Sequence, residues 1–222
     1  MVSSEKDPKY SQLATLLGPL TIHYSPLTIT NQIIYPTMPF IATEFPGLTI
    51  FDPVVYNDNR GYFFESFNEN TFNKQGISGF VQDNQSFSVY GVTRGLHYQL
   101  NPHAQSKLVR ALSGRILDVV VDLRKGSPTY CKVFSIELSA ENKKQLYIPK
   151  GFAHGFSVLS ESADILYKCD NFYNKESEAG ILFSDPSLNI DWKIPSGKAI
   201  VSEKDLQLPL FTDSRNNFVF EQ

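Results

Sequence analysis

From residue 38 almost to the end of the chain, apolar runs of roughly four to eight residues recur, each closed by turn chemistry, and that rhythm predicts strands. The clearest run is RILDVVVDL (115–123), followed by the turn sequence RKGSP. In KVFSIELS (132–139), Phe134, Ile136 and Leu138 alternate with Val133, Ser135 and Glu137, so one face of that strand is expected to be buried. Leu146 and Ile148 resume the alternation before a turn at 149–151, and ADILYKCDNFY (163–173) places Ile165, Tyr167 and Cys169 on one face. Helix signals are short. Residues 68–75 carry Gly76 as a C-cap, and residues 202–208 pair Ser202 with Asp205 in a capping arrangement. Many short strands, glycine turns and little helix predict an all-β jelly-roll barrel with short flanking helices. Residues 1–37 break the rhythm: they hold Pro8, Pro19, Pro26 and Pro36 and no sustained period, and are expected to form an irregular N-terminal extension ahead of a jelly-roll domain over 38–222.

Composition narrows the class. A chain of 222 residues with 41% hydrophobic and 13% aromatic content can bury one full core. No apolar run approaches the ~20 residues needed to span a bilayer, so no membrane association is expected. The segment LATLLGPLTI (13–22) imitates a signal-peptide core, but Glu5 and Asp7 offset Lys6 and Lys9 before it and no small-residue cleavage pattern follows. Cys131 and Cys169 lack motif spacing, which favours reduced thiols and a cytoplasmic setting. A formal net charge of −3 argues against a nucleic-acid binder, so any anion site must be local.

Two of only four histidines lie in glycine-punctuated strand sequence: His97 in RGLHYQ (94–99) and His154 in PKGFAHGF (149–156). A strand histidine is ordinary by itself. Arg94 beside His97 and Lys107 ten residues beyond it change that reading, because neither cation belongs in a barrel interior without an anionic partner. Together they suit proton transfer on an anionic substrate with a developing oxyanion. A metal is the first alternative. PKGFAH follows the P-x-G-x-x-H half-motif of metal-binding cupin barrels, whose first half supplies H-x-H and a later glutamate. Here that element reads His97, Tyr98, Gln99, so one ligand is missing, and the neighbouring arginine and lysine would repel a cation. No metal is expected. Asp118 and Asp122, in an otherwise apolar strand, read as packing or hydrogen-bonding residues and not as a second catalytic pair.

Eight ordered motifs carry a resemblance: RGYFFESFN (60–68), VQDN (81–84), RGLHYQ, Lys107, DVVVDLRKGSPT (118–129), PKGFAHGF, YKCDNFY (167–173) and SEKD (202–205). Over residues 38–210 the chain resembles the dTDP-4-dehydrorhamnose 3,5-epimerase family. That resemblance implies a cupin-like jelly roll, usually a homodimer, acting without metal or organic cofactor on a dTDP-4-keto-6-deoxy sugar. It implies His97 as the base, Asp205 as the carboxylate behind its ring, Tyr167 as the proton donor on the opposite face, and Lys107 beside the ketone oxygen. Arg60, Glu65, Gln82, Asn84, Arg94, His154, Glu178 and Lys204 match positions around the nucleotide sugar, and Tyr173 would stack on the thymine or line the sugar pocket. A single-position epimerase of another deoxysugar pathway and a non-catalytic sugar-nucleotide-binding cupin remain alternatives at this point.

Overall fold

The computed structural model describes residues 39–221; the expected extension over 1–37 lies outside the described residues. The fold is all-β, with two main sheets. The six-stranded sheet runs in the order β1 (Phe40–Ala42), β2 (Thr49–Phe51), β10 (Gln145–Ile148), β7 (Lys107–Ser113), β12 (Ser162–Cys169), β5 (Gln82–Val89). The five-stranded sheet runs β13 (Glu178–Gly180), β6 (Thr93–Gln99), β11 (Phe152–Val158), β8 (Arg115–Asp122), β9 (Val133–Ser139). From β5 to β12 the chain changes sheet at every step except β8 to β9. This is the cupin-like jelly roll expected from the strand rhythm, opened into a sandwich of two sheets. A separate hairpin, β3 (Tyr56–Asp58) and β4 (Gly61–Phe63), pairs only with itself.

Burial explains the sequence pattern. Between the sheets, Val109, Leu146 and Ile165 of one meet Ile116, Val120 and Phe156 of the other. The outer face of the five-stranded sheet is also covered, where Leu117, Val119 and Val121 pack against Ile181, Trp192 and Phe218. Strand β8 is therefore buried on both faces, which is why it reads as an apolar run interrupted only by Asp118 before Asp122, and β9 as an alternating one. On the outer face of the six-stranded sheet, Phe51 and Leu108 pack beneath Phe72 of helix α1 (Glu69–Asn73) and Ile77. Helix α2 (Glu203–Leu206) starts at Ser202, whose side chain accepts from the Asp205 amide. Both helices fall within their predicted segments and are shorter than predicted, with α1 capped at its N-terminus by Asn68. Strand β12 ends at Cys169, inside the predicted 163–173 run.

Asp122 is a hydrogen-bonding residue, as its place in an apolar strand suggests. Its carboxylate accepts from Arg124, Ser127 and Thr129, and the Arg124 guanidinium lies between the rings of Phe152 and Phe220 at 4.3 and 5.1 Å. No helix among the described residues is long and apolar enough to cross a membrane.

Candidate active site

Strands β6 and β11 approach unusually closely. A Cβ at Gly95 would stand 2.7 Å from the Gly155 Cα, and one at Gly155 would stand 2.6 Å from the Arg94 carbonyl, so glycine is required on both strands. Gly95 also has φ +110°, a conformation that L side chains rarely adopt. The glycines of RGLHYQ and AHGF are thus two halves of one contact. The pairing aligns His97 directly opposite His154, and a bulge between His154 and Phe156 follows.

Each histidine has its own carboxylate. His97 Nε2 lies 2.8 Å from Asp205 Oδ1, while Asp205 Oδ2 accepts from the Gly95 amide at 3.1 Å. Burial works against the Asp205 charge, but the His97 hydrogen bond and charge, with Gly95 and Ser202, outweigh it and hold the carboxyl below its ordinary value. The His97 side chain remains 36% exposed, so it can exchange protons with water. His154 Nε2 lies 2.9 Å from Asp118 Oδ2, and both groups are buried. Burial lowers the His154 pKa, with Asp118 opposing it.

The facing sheet supplies the other wall. In β12 and its neighbours, Tyr167 sits between Asn84 and Val109, and Cys169 between Gln82 and Lys107. Period two therefore sends Gln82, Asn84, Lys107 and Tyr167 to one inner face. Lys107 Nζ is 5.8 Å from the centroid of the Tyr167 ring. Burial pushes the Lys107 ammonium down, opposed by Cys169 and Asp118, and burial pushes the Tyr167 phenol up. A cavity of about 420 Å³ lies between these walls, lined by Gln82, Asn84, His97, Lys107 and Tyr167 with Tyr173 and Glu178 at its rim. An inner cavity of about 260 Å³ shares His97, Lys107 and Tyr167 and adds Arg94 and His154. At the rim, the Tyr173 hydroxyl donates to Glu178, which also holds Lys204 Nζ at 2.6 Å.

Most of the residues singled out in the sequence thus converge on one place. Arg60 and Glu65 do not. Arg60 is exposed on the β3–β4 hairpin, ion-paired with Asp58 at 2.6 Å, and Glu65 accepts from Asn68; neither lines these cavities. The sequence reading missed Asp118 as the partner of His154. Its signal was a carboxylate inside a run of valines, a position that demands a hydrogen-bond donor. It also missed Ser86, Gln99 and the Gly95 amide, which carry no side-chain signature of a site. Among the described residues, no group of three or more histidine, cysteine or carboxylate side chains is placed to hold a metal. The arrangement offers a water-accessible imidazole backed by a carboxylate, a buried phenol that keeps its proton, and a lysine lining the same cavity. That set serves proton transfer at carbon next to a carbonyl.

Comparison with known proteins agrees with this geometry. The sequence profile of the dTDP-4-dehydrorhamnose 3,5-epimerase family matches residues 42–213. The dTDP-4-dehydrorhamnose 3,5-epimerase of Shigella flexneri is 52% identical over 180 residues, covering 80% of this chain and 98% of its own. Among solved structures, the dTDP-4-dehydrorhamnose 3,5-epimerase of Elizabethkingia anophelis superposes with a TM-score of 0.76 at 56% identity, over 78% of this chain and 96% of that one. A dTDP-6-deoxy-D-glucose-3,5-epimerase from Legionella pneumophila, solved in complex with dTDP-4-keto-L-rhamnose, gives 0.73 at 48% identity, over 77% and 91%. Profile, sequence and fold agree over the span that builds the two-walled cavity, and the chain belongs to the dTDP-4-dehydrorhamnose 3,5-epimerase family.

Proposed function

We propose that this protein epimerises dTDP-4-dehydro-6-deoxy-D-glucose at C3 and C5 to dTDP-4-dehydro-L-rhamnose, by acid and base chemistry of its own side chains. The observation that carries this reading is the pairing of the His97–Asp205 dyad on one sheet with Tyr167 and Lys107 on the other, around a single cavity. His97 takes the proton from a carbon beside the ketone, and Asp205 orients the ring and stabilises the imidazolium. Negative charge moves onto the ketone oxygen, where Lys107 lowers the cost of the enolate. Tyr167 returns a proton from the opposite face, inverting the centre. Arg94 and His154 contact the sugar at the inner end, while Gln82, Asn84, Tyr173, Glu178 and Lys204 surround the outer end, where the nucleotide lies.

The resemblance assigns Arg60 and Glu65 to the substrate as well, yet they stand outside the protomer's own cavity. A homodimer reconciles the two: the hairpin that carries Arg60 also exposes Tyr56, Tyr62 and Phe63 by 60% or more, a surface that a second copy would cover while Arg60 reaches the partner's cavity.

Incubating the protein with dTDP-4-dehydro-6-deoxy-D-glucose in heavy water tests the reaction. Deuterium is expected at both C3 and C5 by NMR, without added metal. No incorporation at either carbon would sink the enzyme reading, and incorporation confined to one carbon would replace it with a single-position epimerase.

A further inference from the structure

Asp118 carries an uncompensated cost in this site, and the proposed chemistry gives it no part. Its side chain is completely buried in an apolar strand. Oδ2 is satisfied by His154, but Oδ1 is buried without a hydrogen-bond partner. An orphaned buried acceptor costs ~1–3 kcal/mol, more when it is charged. Packing does not explain it, because an apolar residue would fill the same place between Ile116 and Val120 on the inner face without that cost.

We infer that Asp118 is a positioning residue with two effects. It fixes the His154 tautomer so that this ring serves the sugar as an acceptor, and it supplies the counter-charge that keeps Lys107 as the donor to the enolate oxygen. The inference rests on the epimerase reading and deepens it.

The first effect follows from which nitrogen is engaged. A neutral imidazole that donates from Nε2 to a carboxylate carries its lone pair on Nδ1. The His154 ring lines the inner cavity, so Nδ1 is the nitrogen left for a ligand, and a sugar hydroxyl is the donor that suits it. Burial, together with the charges of Lys107 and His97, opposes a second proton on this ring. The two dyads therefore differ in environment: the His97 side chain is half-open to water, whereas burial disfavours a second proton on the enclosed His154.

The second effect follows from what surrounds Lys107. The ionisable groups facing it are Tyr167 and Cys169 on β12, Asp118 on β8, His154 on β11, and Arg94 and His97 on β6, with Tyr173 and Glu178 at the rim of the outer cavity. Asp118, on the inner face of β8 between Ile116 and Val120, is the one carboxylate among them whose charge acts on the ammonium. Burial opposes the ammonium, and the negative charge of Asp118 works the other way.

Asp118→Asn tests both effects in one shape-conserving change. The asparagine amide donates to Nε2, forcing the ring proton onto Nδ1, and the counter-charge disappears. Expected are a loss of kcat of about tenfold or more and an alkaline limb of the kcat profile that moves to lower pH, with dTDP affinity retained. Wild-type kcat with an unmoved limb overturns the inference. Should the variant fail to bind dTDP or to melt cooperatively, nitrogen NMR of wild-type His154 decides. A proton on Nε2 with a bare Nδ1 at neutral pH supports it, and a protonated Nδ1 overturns it. A wild-type protein that exchanges no substrate protons would instead remove the epimerase reading itself.

Discussion

Tyr167 keeps its proton at neutral pH because burial raises its pKa first, with Cys169 adding to the rise and Arg94 pulling against it. In the proposed reaction this suits it as the donor and leaves abstraction to His97. Tyr167→Phe is therefore expected to cut formation of inverted product by ~10²-fold or more while deuterium exchange into recovered substrate continues, since His97 can return a proton from its own face. Parallel loss of exchange and inversion would remove the donor role from Tyr167. At this scale the sequence was uneven in what it disclosed. His97, Lys107 and Arg94 stood out because cations in strand sequence need a reason. Tyr167 and Asp205 had unremarkable local readings, an inward aromatic and a capping carboxylate, and only the family resemblance singled them out. Asp205 takes part in the α2 cap through its amide, which donates to Ser202, and its carboxylate instead backs His97. Asp118 was legible as a hydrogen-bonding residue but not as the partner of His154, because register between β8 and β11 is decided by the whole sheet.

The elements turn these residues into a site. Strand existence followed from period two, and the doubly buried β8 from an apolar run that only Asp118 interrupts before Asp122. What the chain pattern did not disclose is that Gly95 and Gly155 face each other, an approach defined only by the pairing of β6 and β11. Helix α2 has a similar dependence on one detail. It is four residues long, far too short to be stable alone, and Ser202 fixes its start. Ser202→Ala removes an N-cap worth ~0.5–2 kcal/mol and loosens the residue behind His97. A lower melting temperature together with a lower kcat is expected, both restored by Ser202→Thr. An unchanged kcat in a destabilised variant would separate the cap from catalysis.

At the level of the whole molecule, the site draws on β5, β6, β7, β11, β12 and α2 and depends on neither sheet alone. The dimer proposed here predicts that light scattering on the purified protein returns twice the 25.1 kDa chain mass. Substituting Tyr62 and Phe63 with serine should lower that mass and raise the KM for the dTDP sugar, whereas a monomeric wild type with full activity would dismiss the dimer. The strand alternation described above also sets when the enzyme comes into being. None of the cavity strands pairs with its neighbour in sequence, and His97 meets Asp205 across 108 residues. Long loops must close before any of these contacts forms, which makes the topology slow to fold. On the ribosome, a chain that has exposed all of β5 to β12 still lacks Asp205, the carboxylate behind the proposed base, so the dyad cannot form until that residue has emerged.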